Sequence, residues 1–292
     1  MRLSFIFFFL CFNLCGQTIF KGHLADKISK EPVVYANISF LNSEKGVSTT
    51  EDGRFEMYIT NQMLTSKVHI SCLNYKDTVV VVKDILNKTL FLSPKAMQLN
   101  EVVISKKVDR KVVLDRVKKK VMNMHSKGLR MLAKYFPNDK KYNCCSYITL
   151  IDIHFPKRQN QQSKFRFRIF SKDSITGLPK EDLLTKNIPI TIDKGDTTIS
   201  LDLTEYDIEM PKNGFFIAFE KLFIPFNQYG KNPKDPSSEI FYSPVIGISK
   251  SKEFKKIARN FIYVKGKWIS LSFLEKGRMK GYVPAISVTL TN

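Results

Sequence analysis

The chain has 292 residues, enough for two domains of ordinary size that each bury a core. Apolar residues make up 43% of the chain, with 23 Phe and 11 Tyr, which excludes an intrinsically disordered protein. The formal net charge of +20 favours anionic partners, a class that includes nucleic acid, lipopolysaccharide, acidic glycans and anionic lipid headgroups.

Residues 1–16 have the pattern of a secretory signal peptide. A basic start precedes an almost unbroken apolar run from Leu3 to Leu14, shorter than the roughly 20 residues that span a bilayer. Gly16 is the small residue before a cut at Gln17. A buried N-terminal strand or helix is the alternative. We therefore expect an exported protein, periplasmic or outer-membrane-associated, with no transmembrane span in the mature chain and no nucleic-acid partner.

Residues 17–93 are predicted to form short strands separated by turns. Residues 34–40 and 54–59 alternate with the period of two that a half-buried strand requires. The turn between them contains Gly53, which supplies a positive φ. This pattern of short strands predicts an antiparallel β-sandwich.

Five segments in this region carry a family resemblance: residues 20–26, 32–40, 46–55, 68–75 and 99–104. In this order they resemble the carboxypeptidase-regulatory-like domain, a transthyretin-like sandwich common in exported proteins of the Bacteroidetes. The resemblance covers residues 17–105 and implies a structural accessory domain without peptidase chemistry. Asn74 stands where the family usually has Gly, and Asn also tolerates left-handed backbone geometry.

Residues 106–140 are predicted to be a basic, amphipathic helical linker. Apolar residues recur at helical spacing, and residues 105–141 contain thirteen basic and three acidic residues. Two interpretations stay open. The segment is either a solvated helix packed on a domain, or a docking strip for an anionic surface. In the second case the expected contacts are Arg116, Lys118, Lys119 and Lys120.

Residues 141–292 are predicted to form a second β-sandwich. Strict alternation over residues 164–170 and further strand patterns resemble the module found behind the regulatory-like domain, and are similar to jelly-roll carbohydrate-binding modules. Phe215 and Phe219 are expected in the core because a spacing of four along a strand places them on one face. Tyr229 lies in a loop predicted over 227–238 and is the candidate ligand contact. The predicted fold is therefore mainly β: a transthyretin-like sandwich, a helical linker and a jelly-roll-like sandwich.

No catalytic residue, cofactor or metal site is expected. A zinc carboxypeptidase needs a Glu three positions after a His, whereas the four histidines here are followed at that spacing by Asp26, Cys72, Gly128 and Lys157. The serine-hydrolase elbow and the P-loop are also missing from the sequence. Asp152, Asp182 and Glu220 could pair as in a glycosidase, but ordinary surface or loop carboxylates are the favoured interpretation.

Three cysteines remain after signal cleavage: Cys72, Cys144 and Cys145. A bridge from Cys72 to either of the other two is possible in an oxidising compartment. Free cysteines that behave as small apolar residues are the favoured alternative.

These observations predict a non-enzymatic binding or scaffold protein of the cell envelope. Its partner would be an envelope protein, a glycan or an anionic lipid surface. The first alternative is a carbohydrate-binding protein that acts through the jelly-roll-like module. A hydrolase with an unfamiliar site ranks third.

Overall fold

The computed structural model describes residues 17–95, 110–117, 121–124, 130–156, 161–230, 240–251, 259–271 and 279–292. They form two β modules: the first module, residues 17–95, and the second module, the described residues from 110 onward. In the part of the chain so described, none of the helices has the length and apolarity needed to cross a membrane.

The first module is a β-sandwich, as the sequence predicts. Its strands and short helices are β1 (Gln17–Asp26), β2 (Asn37–Phe40), β3 (Gly46–Ser48), β4 (Arg54–Thr60), a 3-10 helix (Asn61–Thr65), β5 (Lys67–Ser71), β6 (Thr78–Val81), α1 (Val82–Ile85) and β7 (Thr89–Leu92). One sheet has the order β4-β1-β7 and the other β3-β2-β5-β6. Phe20 fills the core between them, with ring centroids 4.9 Å from Phe55 and 6.1 Å from Phe40.

Two turns of the first module need a positive φ. Gly53 has φ 74°, and a Cβ there would lie 2.5 Å from the carbonyl oxygen of Leu24. Asn74 has φ 69°, so it adopts the left-handed conformation that its glycine-like position requires. The expectation that Asn preserves this turn is confirmed.

The second module contains sixteen strands in the described residues. They are β8 (Lys111–Leu114), β9 (Met122–Asn123), β10 (Met131–Phe136), β11 (Tyr147–His154), β12 (Ser163–Lys172), β13 (Pro179–Asp182), β14 (Pro189–Ile192), β15 (Thr198–Asp202), β16 (Phe215–Lys221), β17 (Gln228–Tyr229), β18 (Phe241–Tyr242), β19 (Gly247–Lys250), β20 (Asn260–Val264), β21 (Lys267–Ser270), β22 (Tyr282–Pro284) and β23 (Ile286–Thr291). Short 3-10 helices cover Lys140–Tyr142, Thr204–Tyr206 and Pro225–Asn227.

Two large sheets of this module pack face to face. The seven-stranded sheet has the order β13-β12-β16-β10-β20-β21, with β14 also paired to β12, and the four-stranded sheet has the order β15-β11-β23-β8. Apolar side chains from both sheets form one buried cluster between them. Phe215 and Phe219 belong to that cluster, so their predicted core position is confirmed. Each sheet therefore has one inner face on this core and one outer face.

The predicted helical linker is wrong in the residues that can be compared. Lys111–Leu114 forms the edge strand β8, paired antiparallel with β23, and Met131–Phe136 forms β10 between β16 and β20. Val112 and Leu114 both pack against the core, a period of two rather than a helical one. Valine is β-branched and favours a pleated strand once a partner strand is present. Lys118, Lys119 and Lys120 lie outside the described residues.

The cysteines are free, as the favoured interpretation predicts. Cys72 and Cys145 are buried and Cys144 is half-buried. The sulfur atoms of the neighbouring Cys144 and Cys145 lie 2.9 Å apart. Burial raises the pKa of the Cys72 thiol, which keeps it protonated and unreactive.

Candidate functional site

The first module packs on the outer face of the seven-stranded sheet through a buried ion pair. Arg166 of β12 and Glu220 of β16 are both 0% exposed, and Nε of Arg166 donates to Oε2 of Glu220 at 2.6 Å. The first module completes the pair: Asn37 donates to Oε1 of Glu220 at 2.6 Å, and the carbonyl oxygen of Tyr35 accepts from Arg166 at 3.1 Å. Burial raises the pKa of Glu220, but the charge and hydrogen bond of Arg166 outweigh it, so the pKa is lowered overall.

Contacts around this pair fix how the two modules are joined. Ser48 and Phe223 exchange two hydrogen bonds, of 3.1 Å from the Ser48 amide and 3.0 Å from the Phe223 amide. At the rim, Lys164 donates to Glu51 at 2.5 Å, and the hydroxyl of Tyr35 donates to the same carboxylate at 2.7 Å. The polar groups at this junction therefore bind each other across the interface.

A second buried charge cluster lies at the end of β8. Asp115 is bound by Lys134 at 2.9 Å, by Arg259 at 3.3 Å and by the hydroxyl of Ser251 at 2.6 Å. Burial raises the pKa of Asp115, and the opposing charge of Lys134 is the main effect that lowers it overall. Asp115 has φ 45°. The cluster fixes the backbone immediately before Arg116, the first residue of the predicted basic contact.

The outer face of the four-stranded sheet carries an open groove of about 560 Å³, which we call the sheet-face groove. Strands β8, β11 and β23 and the end of β15 line it. Its polar lining residues differ in exposure. Lys111, Arg116, Asp202 and Thr204 are exposed, Thr149, Asp152 and His154 are half-buried, and Ser287, Thr289 and Thr291 are buried.

Two of these side chains are held by hydroxyl groups of β15. The carboxylate of Asp152 accepts from Ser200 at 2.6 Å, and Nδ1 of His154 lies 2.9 Å from the hydroxyl of Thr198. Burial lowers the pKa of His154, so its imidazole is neutral at pH 7. The groove thus offers hydroxyl groups, a neutral imidazole, carboxylates and two cations. This set can form hydrogen bonds with a polar or partly anionic ligand over an extended surface.

The sequence singled out Arg116 but missed the groove around it. Arg116 lies at the groove, so the structure places one of the four predicted basic contacts beside the polar face of β11 and β23. The signal for that face is present in residues 286–291, where Ser287, Thr289 and Thr291 alternate with apolar residues. Alternation identifies a polar face, but it does not show whether another part of the chain covers it.

Tyr229 lies in a short two-stranded ribbon and not in a loop. It pairs with Phe241 of β18, with ring centroids 5.7 Å apart. Burial raises the pKa of Tyr229, which is half-buried. Phe226, Ile240 and Phe241 are 47%, 41% and 39% exposed. Tyr229 is therefore part of an exposed apolar patch, consistent with its predicted role as a contact residue.

The three carboxylates considered for a glycosidase are not brought together. Glu220 pairs with Arg166, Asp182 forms two bonds with Arg168 at 2.7 and 2.5 Å, and Asp152 lies on the other sheet. Among the described residues, no group of three or more His, Cys, Asp or Glu side chains is arranged to hold a metal ion.

Comparisons with known proteins identify part of the chain. Residues 20–104 match the CarboxypepD_reg-like domain family, so this region is such a domain. The search of curated proteins gives no match.

Two solved structures are remote neighbours. The cysteine protease and lectin-like domains of Cwp84, a surface layer associated protein of Clostridium difficile, are 10% identical, with 64% of this chain and 37% of that chain covered and a TM-score of 0.39. A structure of the clostridial cysteine protease Cwp84 after propeptide cleavage is 9% identical, with 78% and 52% covered and a TM-score of 0.35. The chain thus spans between about a third and a half of these proteins, and the similarity is too low to compare their sites.

Proposed function

We propose that the chain is a non-catalytic, exported protein of the cell envelope that binds a polar ligand or partner in the sheet-face groove. The observation that carries this proposal is the polar groove on the outer face of the four-stranded sheet, where Lys111 and Arg116 are exposed. That face lies on the opposite side of the second module's core from the buried junction with the first module. The matched regulatory-like domain acts as a rigid support for it.

The groove holds polar groups in fixed orientations. The imidazole of His154 and the carboxylate of Asp152 each bond to a hydroxyl group of β15, which orients them as fixed donors and acceptors. The cations Lys111 and Arg116 at the same groove favour a ligand with some negative charge.

Binding at the groove is tested with a double variant, Lys111→Ala with Arg116→Ala, which removes both cations. Purified mature protein is incubated with envelope fractions, with acidic polysaccharide and with vesicles of anionic lipid, and the retained partner is quantified. We expect retention to fall at least tenfold in the double variant, because a ligand loses both charged contacts. The control is Lys83→Ala, an exposed cation in the first module. Equal retention by both variants would reject the groove.

Export is tested separately from binding. The protein would be recovered from the periplasm or outer membrane with Gln17 as its first residue, since the signal peptide is expected to end at Gly16. Recovery of the unprocessed chain from the cytosol would contradict this part of the proposal.

Carbohydrate binding through Tyr229 is the second candidate function. It is favoured by the exposed aromatic ribbon, because aromatic faces combine apolar area with directional contacts. A glycan array probed with wild type and Tyr229→Ala tests it, with Tyr58→Ala as control because Tyr58 is 60% exposed on the first module. Glycan signals that survive Tyr229→Ala would exclude this surface.

A further inference from the structure

Two cationic residues of the second module are cross-strand neighbours, and within the described residues neither forms an ion pair. In the pairing of β10 and β16, Met131 lies opposite Glu220, and the amide of Lys221 donates to the carbonyl oxygen of Arg130 at 2.8 Å. Arg130 and Lys221 are therefore cross-strand neighbours. Like charges directly opposite each other destabilise a sheet. An arrangement of this kind calls for a counter-ion.

Arg130 is the more unusual of the two. It is 2% exposed, and neither of its terminal nitrogens has a hydrogen-bond partner. Its guanidinium lies 4.0 Å from the ring centroid of Phe223. A cation–π contact of this kind is weaker than the desolvation penalty of a buried ion. The aromatic contact therefore leaves most of the cost of burial uncompensated.

Arg168 is another buried arginine of the second module, and its partners can be compared with those of Arg130. Its guanidinium also lies over an aromatic ring, 4.6 Å from the centroid of Phe170. It is 7% exposed, but it has Asp182 as a bidentate partner at 2.7 and 2.5 Å. Arg130 has a comparable contact with the ring of Phe223, but no carboxylate among the described residues binds it.

The space for an anion lies next to Arg130 and Lys221. Both residues line a partly enclosed cavity of about 10 Å³, room for the centre of one water-sized sphere. The guanidinium of Arg130 also lies against Gly46 of the first module, where an added Cβ would be 1.8 Å from its Nη2. Leu132, Phe219 and Ile246 form its apolar wall. Burial, and to a smaller extent the charge of Arg130, together lower the pKa of Lys221 to about 8. Burial also lowers the pKa of Arg130, to about 10. Both groups are still mainly cationic at pH 7.

We propose that this cavity is a binding site for a small anion, held between the guanidinium of Arg130 and the ammonium of Lys221. The cavity admits either a monatomic ion such as chloride or a single oxygen atom of a phosphate or carboxylate whose remainder lies outside it. The apolar wall excludes water from the contact, which strengthens the attraction between ion and cations. The site is separate from the sheet-face groove, because the two have no lining residue in common.

Thermal unfolding of the full mature chain tests the site. Sodium chloride, sodium phosphate and sodium acetate are titrated at constant ionic strength. We expect at least one of them to raise the melting temperature in a saturable way, by about 4–8 °C at a hundred times its dissociation constant. Saturation by phosphate or chloride alone would indicate an inorganic ion, and saturation by acetate would indicate a carboxylate. No saturable rise with any of the three would overturn the proposal.

Two variants locate the effect. Arg130→Met and Lys221→Met should each lose the saturable response, and Arg130→Met should melt no lower than wild type in anion-poor buffer, because an unpaired buried charge is replaced by an apolar side chain of similar length. The matched control is Arg168→Met, which should melt lower than wild type and keep the response. If both test variants keep the full response, the anion binds elsewhere and the site is rejected. Should one test variant fail to fold, the other decides.

A direct observation complements these measurements. Crystals of the wild-type chain soaked in sodium bromide should show an anomalous peak between Arg130 and Lys221, and crystals of Lys221→Met should not. The absence of the peak in wild type, at a concentration that raises its melting temperature, would contradict the assignment.

Discussion

The outer faces of the two large sheets of the second module both carry polar and charged side chains, but the first module covers only one of these faces. On the seven-stranded sheet, Arg166 and Glu220 are covered by the first module and bound by Asn37 and the Tyr35 backbone. On the four-stranded sheet, Lys111 and Arg116 of the sheet-face groove are exposed and Asp152 and His154 are half-buried. The hydroxyl-bearing residues of β23 in the same groove are themselves buried. The same alternation of polar residues therefore becomes a structural junction where it is covered and a candidate binding surface where it is not.

The largest loss of stability is expected from removing the charge of Glu220, which forms the buried ion pair with Arg166. Replacement of Glu220 by Gln leaves Arg166 buried without its counter-charge, which should cost about 3–5 kcal/mol of unfolding free energy. Urea denaturation measures this loss. Glu56→Gln is the control, since Glu56 is exposed on β4 and should change stability by less than about 0.5 kcal/mol. Equal losses in both variants would mean that the junction is not held by this pair.

The second-largest effect is expected from acid, which should lower the free energy of unfolding by protonating the buried carboxylates of Glu220 and Asp115. The pKa values of Glu220 and Asp115 are lowered in the fold, so these groups bind fewer protons there than in the unfolded chain. Their contribution is fully present above an unfolded pKa of about 4.5 and is lost as the pH falls through the folded values. Stability measured from pH 6 to pH 3 should therefore decline below about pH 4.5. Glu220→Gln should flatten this decline, and an unchanged slope would contradict the assignment.

A smaller effect is expected at the rim of the same junction. Lys164 and Glu51 are 26% and 68% exposed, so their ion pair is screened by water. Lys164→Ala should cost about 0.2–1 kcal/mol in the same denaturation experiment. Comparison of this loss with that of Glu220→Gln separates buried from exposed pairing within one interface. A loss as large as that of Glu220→Gln would show that exposure does not set the difference.

The smallest effect on stability is expected in the open groove. Asp152→Asn keeps a similar shape and should change the unfolding free energy by less than about 0.5 kcal/mol. The same variant should not weaken retention of an anionic ligand, because it removes a negative charge from the groove. A large loss of stability would instead show that Asp152 serves the fold through its bond to Ser200.

The sequence predicted much of the strand pattern but not which faces are covered. Alternation over residues 164–170 identified β12. The same sequence pattern would be expected if Arg166 were exposed to water. Its burial depends on Tyr35 and Asn37, about 130 residues away, and alternation carries no information at that distance. The helix predicted around Val113 failed for a related reason. Its true partner, β23, lies more than 170 residues further along the chain.

The candidate sites show the same limit. Arg116 was selected by charge and is exposed at the sheet-face groove, whereas Tyr229 was selected as a loop residue and is a half-buried residue of β17. The pairing of Arg130 with Lys221 was not predictable, because it depends on the register between β10 and β16. Register is set by tertiary packing, which single-sequence patterns do not contain.

The position of β23 has a consequence for synthesis of the protein. This strand lies between β11 and β8, so the four-stranded sheet remains divided until residues 286–291 have left the ribosome. The first module has all of its strands by residue 92 and can mature early. The second module must wait as an incomplete intermediate with unpaired strand edges, the state in which a chain is most prone to aggregate and most easily kept unfolded by a chaperone.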